Sequence, residues 1–244
     1  MMFGRALWRG REIQVINHGD GRLTDAGGSE LSCEDLVPLS PCSPSKIVCV
    51  GRNYRDHAKE LGNPMPERPL LFLKPPSSVL APGGTILLPP DSDQVEYEGE
   101  IGVVIAKTCR HLGPDDDPLP YVAGVTPVND VTARDLQRLD VQFTRAKSFD
   151  TFCPFGPWIK DVKELENLDV RTFLNGRQVQ DGRARDMAFP IPLLLRFISS
   201  IMTLLPGDLI ATGTPAGVGK MSDGDLVAVE VAGMLLENRA ANER

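Results

Sequence analysis

The sequence predicts an α+β fold that is mostly β, and three observations carry that expectation. Short runs rich in Val, Ile and Leu recur along the 244 residues, bounded by Gly, Pro, Asn, Asp or Ser. Helical composition is confined to a few segments, "RNYRDHAKELG", "VTARDLQRLD" and "IPLLLRFISSIMTLL". Strands and helices also follow one another without the regular strand–helix–strand alternation of a parallel α/β sheet.

Taken in order, residues 1–45 alternate strand-like pieces ("ALWRG", "EIQVI") with turn clusters ("NHGDGR", "DAGGS") and close on "PLSPCSPS". They read as a small β-rich N-terminal segment ending in a Pro/Ser linker. The larger domain, residues 46–244, opens on "KIVCVG", a continuous apolar run of buried-strand type. "RNYRDHAKELG" then reads as a helix with a terminal Gly suited to the C-cap. Dense Pro and Gly over residues 63–94 separate "PLLFLK" from "TILLPP" and from "QVEYEGEIGVVIAK". In "VTARDLQRLD", Thr132 with Asp135 three residues on resembles a helix N-cap. After the apolar helix near residue 191, "GDLIATGTPAGVG" and "DGDLVAVEVAGMLLE" return to strand pattern.

Composition excludes several functions. A net charge of −7 with no basic block argues against nucleic acid, whose binding rests on clustered Lys and Arg. The first residues lack the long apolar core of a signal peptide, and the greasiest helix is interrupted by Arg196 and two serines. The expectation is a soluble, cytoplasmic protein without a membrane segment. Five cysteines without a Cys-x-x-Cys pair suggest neither a disulfide framework nor a zinc site, and reduced thiols are expected.

The chemistry-bearing residues begin with Glu96, Glu98 and Glu100. In one strand these alternate positions share a face, roughly 6 to 7 Å apart. No Lys, Arg or His lies between Lys74 and Lys107, so local sequence offers no counter-charge. A charged, solvent-facing edge strand is one explanation. A bound cation is the other, and carboxylates without Cys or His select a hard ion such as Mg²⁺, Mn²⁺ or Ca²⁺. Asp130, ending an apolar run just before a predicted helix, could supply a third oxygen or merely cap that helix. His57 and Glu60, three apart on one helix face, form either a carboxylate-oriented base or an ordinary surface pair. "GTPAGVGK" (213–220) fails as a phosphate loop, because Thr214 stands where Gly is needed and Met221 where Ser or Thr is needed. It reads as a tight loop able to hold a ligand carboxylate, or as a plain Gly-rich turn.

In order, "GRNYRDHAKE", "FLKPPSSV", "YEGEIGVVI", "NDVTARDLQ", "AKSFDTFCPFGPWI", "LNGRQVQ" and "TLLPGDLIATGTPAGVG" resemble the fumarylacetoacetate hydrolase superfamily over residues of about 46–236. The chain looks like its small bacterial branch of acylpyruvate hydrolases, oxaloacetate decarboxylases or tautomerases, and 2-hydroxyhepta-2,4-diene-1,7-dioate isomerases. The resemblance implies a mixed β-sandwich roll with a few helices, a homodimer, and one Mg²⁺ or Mn²⁺. It implies Glu98, Glu100 and Asp130 as metal ligands and leaves Glu96 outside that set, either at the rim of the site or paired with a distant base. It further implies His57, Glu60 and Lys147 as catalytic residues, with Arg134, Gln137, Thr214 and Gly213 binding substrate. The implied substrate is a small 2-oxo or dicarboxylic acid, converted through a metal-stabilised enolate by C–C hydrolysis or isomerisation. Oxaloacetate decarboxylation or tautomerisation is the alternative within the family, and a non-catalytic Ca²⁺-binding β-protein the alternative outside it.

Overall fold

The structure is a computed structural model that describes residues 1–243. Its apolar runs assemble into an 11-stranded sheet facing a five-stranded one, with two smaller sheets between elements. Across the large sheet lie Glu30–Leu31, Leu23–Asp25, Arg11–Asn17, Met2–Trp8, Ile159–Lys160, Val122–Asn129, Gly99–Ile105, Leu209–Ala211, Ile47–Gly51 and Leu70–Lys74. Leu36–Leu39 pairs additionally with Met2–Trp8. The N-terminal hairpin turns at Arg9 and Gly10, both at positive φ, and Phe3 pairs with Ile159, so the lead-in strands extend the main sheet.

The central strands are apolar throughout because both of their faces are covered. Side chains alternate across a sheet. Val48, Val50, Val103 and Ile105 therefore join the core against the five-stranded sheet and the long helix, while Ile47, Cys49 and Val104 pack on the other side with Val128, Phe155 and Leu209. The five-stranded sheet runs Arg177–Arg183, Asp169–Leu174, Leu226–Val231, Met234–Asn242 and Thr85–Leu88.

Four helices complete the fold among the described residues: α1, Arg55–Glu60; α2, Arg134–Leu139; α3, Thr144–Lys147; and α4, Ile191–Ile201. Helix α4 buries Ile191, Leu194, Leu195 and Ile198, one stripe at helical spacing. Helix α1 ends as its Gly predicts, with Gly62 at φ +68° and the Asn63 N–H bonded to the Ala58 carbonyl. Among the described residues no helix is long and apolar enough to cross a membrane. The cysteines form no disulfide; Cys33 is exposed, while Cys49, Cys109 and Cys153 are buried.

Two local expectations are corrected. The acidic stretch is two strands and not one: Val95–Tyr97 belongs to a three-stranded sheet with Thr132–Ala133 and Gly219–Lys220, and Gly99–Ile105 to the large sheet. The chain changes sheet at Glu98, whose N–H donates to Asn129 Oδ1 at 2.9 Å. The crossing needs Gly99, because a Cβ there would come within 1.9 Å of Thr172 Oγ1. Helix α2 also starts later than a Thr132 cap requires. The Thr132 hydroxyl donates to the Asp130 carbonyl instead, and Asp135 accepts from Ser92 Oγ and from the N–H groups of Asp93 and Leu136.

Candidate active site

Strand register assembles the acid cluster. Gly99 pairs with Asn129 and Glu100 with Val128, so the next residue of the second strand, Asp130, comes opposite Glu98 and donates its N–H to the Glu98 carbonyl at 2.8 Å. One carboxylate oxygen from each of Glu98, Glu100 and Asp130 lies within 4.8 Å of the others. All three side chains are buried, at 4%, 2% and 1% exposure.

Three cations from other elements meet this cluster. Lys147, at the end of α3, donates to Glu98 Oε2 at 2.8 Å and to Asp130 Oδ2 at 2.7 Å. Arg134, the first residue of α2, donates through Nε to Glu96 Oε2 at 2.7 Å, through Nη1 to Gln137 Oε1 at 2.6 Å, and through Nη2 to Glu98 Oε1. Lys74 donates to Asp130 Oδ1 and, at 2.8 Å, to the Val131 carbonyl. Glu96 thus pairs with a base distant in sequence. Four carboxylates face three cations, and among the described residues Glu100 is the one without an ion pair: its Oε2 accepts only the Gly213 N–H, at 2.8 Å.

The electrostatics follow this geometry. Burial, with Asp130 and Glu98 as neighbours, pushes the Glu100 carboxyl well above the usual carboxylate range. Burial acts the same way on Glu98, but Lys147 and Arg134 overcome it and hold that carboxyl well below the range. Burial opposes the charge of Lys147, yet Asp130 and Glu98 raise its pKa. A buried carboxylate with one N–H partner, beside two more oxygen donors and no sulfur or imidazole in the set, is a donor arrangement that fits a hard divalent cation.

A cavity of about 160 Å³ opens over the cluster. His57, Glu98, Glu100, Asp130, Arg134, Gln137, Lys147 and Thr214 all line it. Glu60 and Gly213 stand one contact behind. Glu60 Oε2 lies 3.4 Å from His57 Nδ1, while its two oxygens accept the Gly217 N–H at 3.0 and 3.2 Å. The "GTPAGVGK" loop therefore holds both ends of the machinery, Gly213 on Glu100 and Gly217 on Glu60. The Thr214 hydroxyl donates to the Gly99 carbonyl at 2.9 Å and accepts from Gln180 Nε2 at 2.8 Å. Burial lowers the His57 pKa despite the nearby Glu98 charge, so its imidazole is neutral near pH 7.

Sequence reasoning assigned no role to Lys74, Asn129 or Gln180. A lysine ending the apolar run "LLFLK" was the available signal, since a fully buried lysine requires an anionic partner. Asn129 and Gln180 carried no signal, because their work is to take the N–H groups of Glu98 and Gly99 at the sheet crossing, a feature absent from the linear pattern.

The family model described as "Fumarylacetoacetate (FAA) hydrolase C-terminal" matches residues 46–240. The 2,4-didehydro-3-deoxy-L-rhamnonate hydrolase of Sphingomonas sp. is 38% identical over 245 residues, covering 90% of this chain and 86% of that protein. The oxaloacetate tautomerase YisK of Bacillus subtilis is 47% identical over 199 residues, 79% of this chain and 64% of that protein. Among solved structures, the 5-carboxymethyl-2-hydroxymuconate delta-isomerase of Mycobacterium smegmatis superposes with a TM-score of 0.92 at 39% identity, with both chains fully covered.

Proposed function

Because the chain belongs to the fumarylacetoacetate hydrolase family, we propose that it is a divalent-metal-dependent enzyme acting on small 2-oxo acids with a second carbonyl or an alkene further along, by C–C hydrolysis or isomerisation. The observation that carries this reading is the buried Glu98–Glu100–Asp130 cluster on the same cavity as the His57–Glu60 pair. In this reading Glu98, Glu100 and Asp130 hold Mg²⁺ or Mn²⁺. When bound, such an ion supplies Lewis-acid stabilisation of negative charge developing on the 2-oxo end of the substrate.

This chain's own residues do the rest. Lys147, with its ammonium group between Glu98 and Asp130, offsets the remaining negative charge. With Nδ1–H directed at Glu60, His57 keeps Nε2 as the acceptor for a proton from water. Hydroxide then adds to the distal carbonyl and the C–C bond breaks. The electron pair stays on the three-carbon 2-oxo fragment, which takes a proton back through His57. Isomerisation needs only proton removal and return at neighbouring carbons. Arg134 and Gln137 orient the substrate from α2, and Thr214 and Gly213 shape the opposite wall.

Oxaloacetate chemistry remains the second reading, favoured by the 47% identity to a protein named as an oxaloacetate tautomerase. The deciding experiment assays the purified protein with Mg²⁺ on acetylpyruvate, fumarylpyruvate, oxaloacetate and 2-hydroxyhepta-2,4-diene-1,7-dioate. Turnover that is lost in Glu98→Gln, with hydrolysis lost in His57→Ala, is expected. No turnover of any of the four by the intact protein removes the enzyme reading. A melting temperature raised by Ca²⁺ would then leave the structural Ca²⁺-binding alternative. Two copies per molecule are part of the same reading, and light scattering tests them.

A further inference from the structure

The cavity carries more positive charge than its acid cluster uses. Lys74, Lys147 and Arg134 are each engaged with carboxylates of that cluster. Arg52 and Arg138 also line the cavity. Among the described residues neither has a carboxylate within ion-pair distance, and Arg138 donates only to Gln94 Oε1, at 3.1 Å. On α2, Arg134, Gln137 and Arg138 share a face. Exposure rises along it from buried Arg134 through half-buried Gln137 to exposed Arg138, about 6 Å further along the axis. Arg138 therefore belongs to the mouth and Arg134 to the floor.

Arg52 reaches the same cavity from the end of the Ile47–Gly51 strand, in a conformation that its neighbours impose. Its φ is +56°, the left-handed region that a residue with a Cβ rarely adopts. The next residue, Asn53, is fully buried; its Nδ2 donates to the carbonyls of Phe189 at 3.1 Å and Thr212 at 2.8 Å, and its Oδ1 accepts the Phe189 N–H at 2.8 Å. A clamp of this kind holds Arg52 where it is, and over-determined backbone of this type clusters at ligand-binding positions. Phe72 and Phe143 also line the cavity, their ring centroids 5.6 Å apart, and Lys147 Nζ lies 4.9 Å from the Phe72 centroid. The walls thus combine a charged floor, an apolar section and two guanidinium groups that have no carboxylate partner among the described residues.

We propose that Arg52 and Arg138 form a second anion subsite, which takes the distal carboxylate of a dicarboxylic 2-oxo acid while its 2-oxo end lies over the acid cluster. The inference rests on the reading of the site under the preceding heading and names its substrate class. The planar guanidinium fork matches a carboxylate in two parallel hydrogen bonds, and the aromatic section suits the carbon chain between the two ends. Positive charge at the mouth of a chain whose net charge is −7 also favours entry of a dianion.

The test compares fumarylpyruvate, which has a distal carboxylate, with acetylpyruvate, which lacks one, in the Mg²⁺-loaded protein and in Arg52→Gln, Arg138→Gln and Arg52→Lys. The ratio of kcat/KM for fumarylpyruvate to that for acetylpyruvate is expected to fall roughly tenfold or more in Arg52→Gln. A smaller fall is expected in Arg138→Gln, with partial recovery in Arg52→Lys. Because the readout is a ratio, a general loss of folded protein does not imitate it. Calorimetry of fumarylpyruvate binding separates this idea from the proposed reaction. Binding that weakens in Arg52→Gln in a protein that turns over neither compound upholds the subsite and overturns the reaction. A ratio and an affinity that both stay unmoved overturn the subsite.

Discussion

Glu100 is the residue on which the candidate metal centre turns, since among the described residues it is the buried acid without a cationic partner. Its raised pKa means that a divalent ion competes with a proton for this carboxylate, so Mg²⁺ affinity should rise with pH through the range in which Glu100 ionises. Calorimetry in buffers of different ionisation enthalpy should detect that proton, and Glu100→Gln should lose it together with more than about 10-fold in affinity. His57 shifts the other way. Its lowered folded pKa means that the unfolded chain binds more protons between that value and the ordinary one near 6.5. Stability should therefore rise with pH through that window and be lost as pH falls through it, a slope that urea titrations of His57→Gln should lack. The acid limb of kcat/KM should likewise lie below pH 6.5.

Lys74 shows how one element depends on another. It ends the Leu70–Lys74 strand, yet its ammonium group is spent on Asp130 and Val131 at the end of a different strand. Replacing it by Met leaves Asp130 buried with one of its two lysines gone. A loss of about 3–5 kcal/mol is expected in urea unfolding, the usual cost of breaking a buried pair from one side. The 213–220 loop is a second case. Gly217 has φ +100°, and a Cβ there would meet the Val179 carbonyl at 2.1 Å. Gly217→Ala should displace the N–H that holds Glu60, and kcat should fall while Mg²⁺ affinity, measured separately, stays near that of the parent protein.

At the scale of the whole molecule, the acids, the bases and the histidine come from elements far apart in the chain and meet where two sheets exchange strands. An ion held by such a site binds the folded chain and not the unfolded one. Mg²⁺ at 100 times its dissociation constant should therefore stabilise the protein by about 2.7 kcal/mol, read as a rise in melting temperature that Glu100→Gln abolishes. The mostly β class, the buried central strands and the α1 cap were legible beforehand, because alternation and Gly placement are local properties of sequence. The break of the acidic stretch at Glu98 was not legible. It depends on Thr172 crowding Gly99 and on Asn129 and Gln180 taking its backbone donors, residues contributed by other strands.

By itself the sequence determined which residue types were available for chemistry: alternating carboxylates without a local base, a His-x-x-Glu pair, and a set of motifs that resemble one family. Only the tertiary structure decided how the charges are divided. Among the described residues it gives Arg134 to Glu96 and Glu98, both lysines to Asp130, and no cation to Glu100. The reason is physical: a pairwise charge interaction in a buried site depends on distances of a few ångströms between side chains, and strand register sets those distances across separations that no local pattern records.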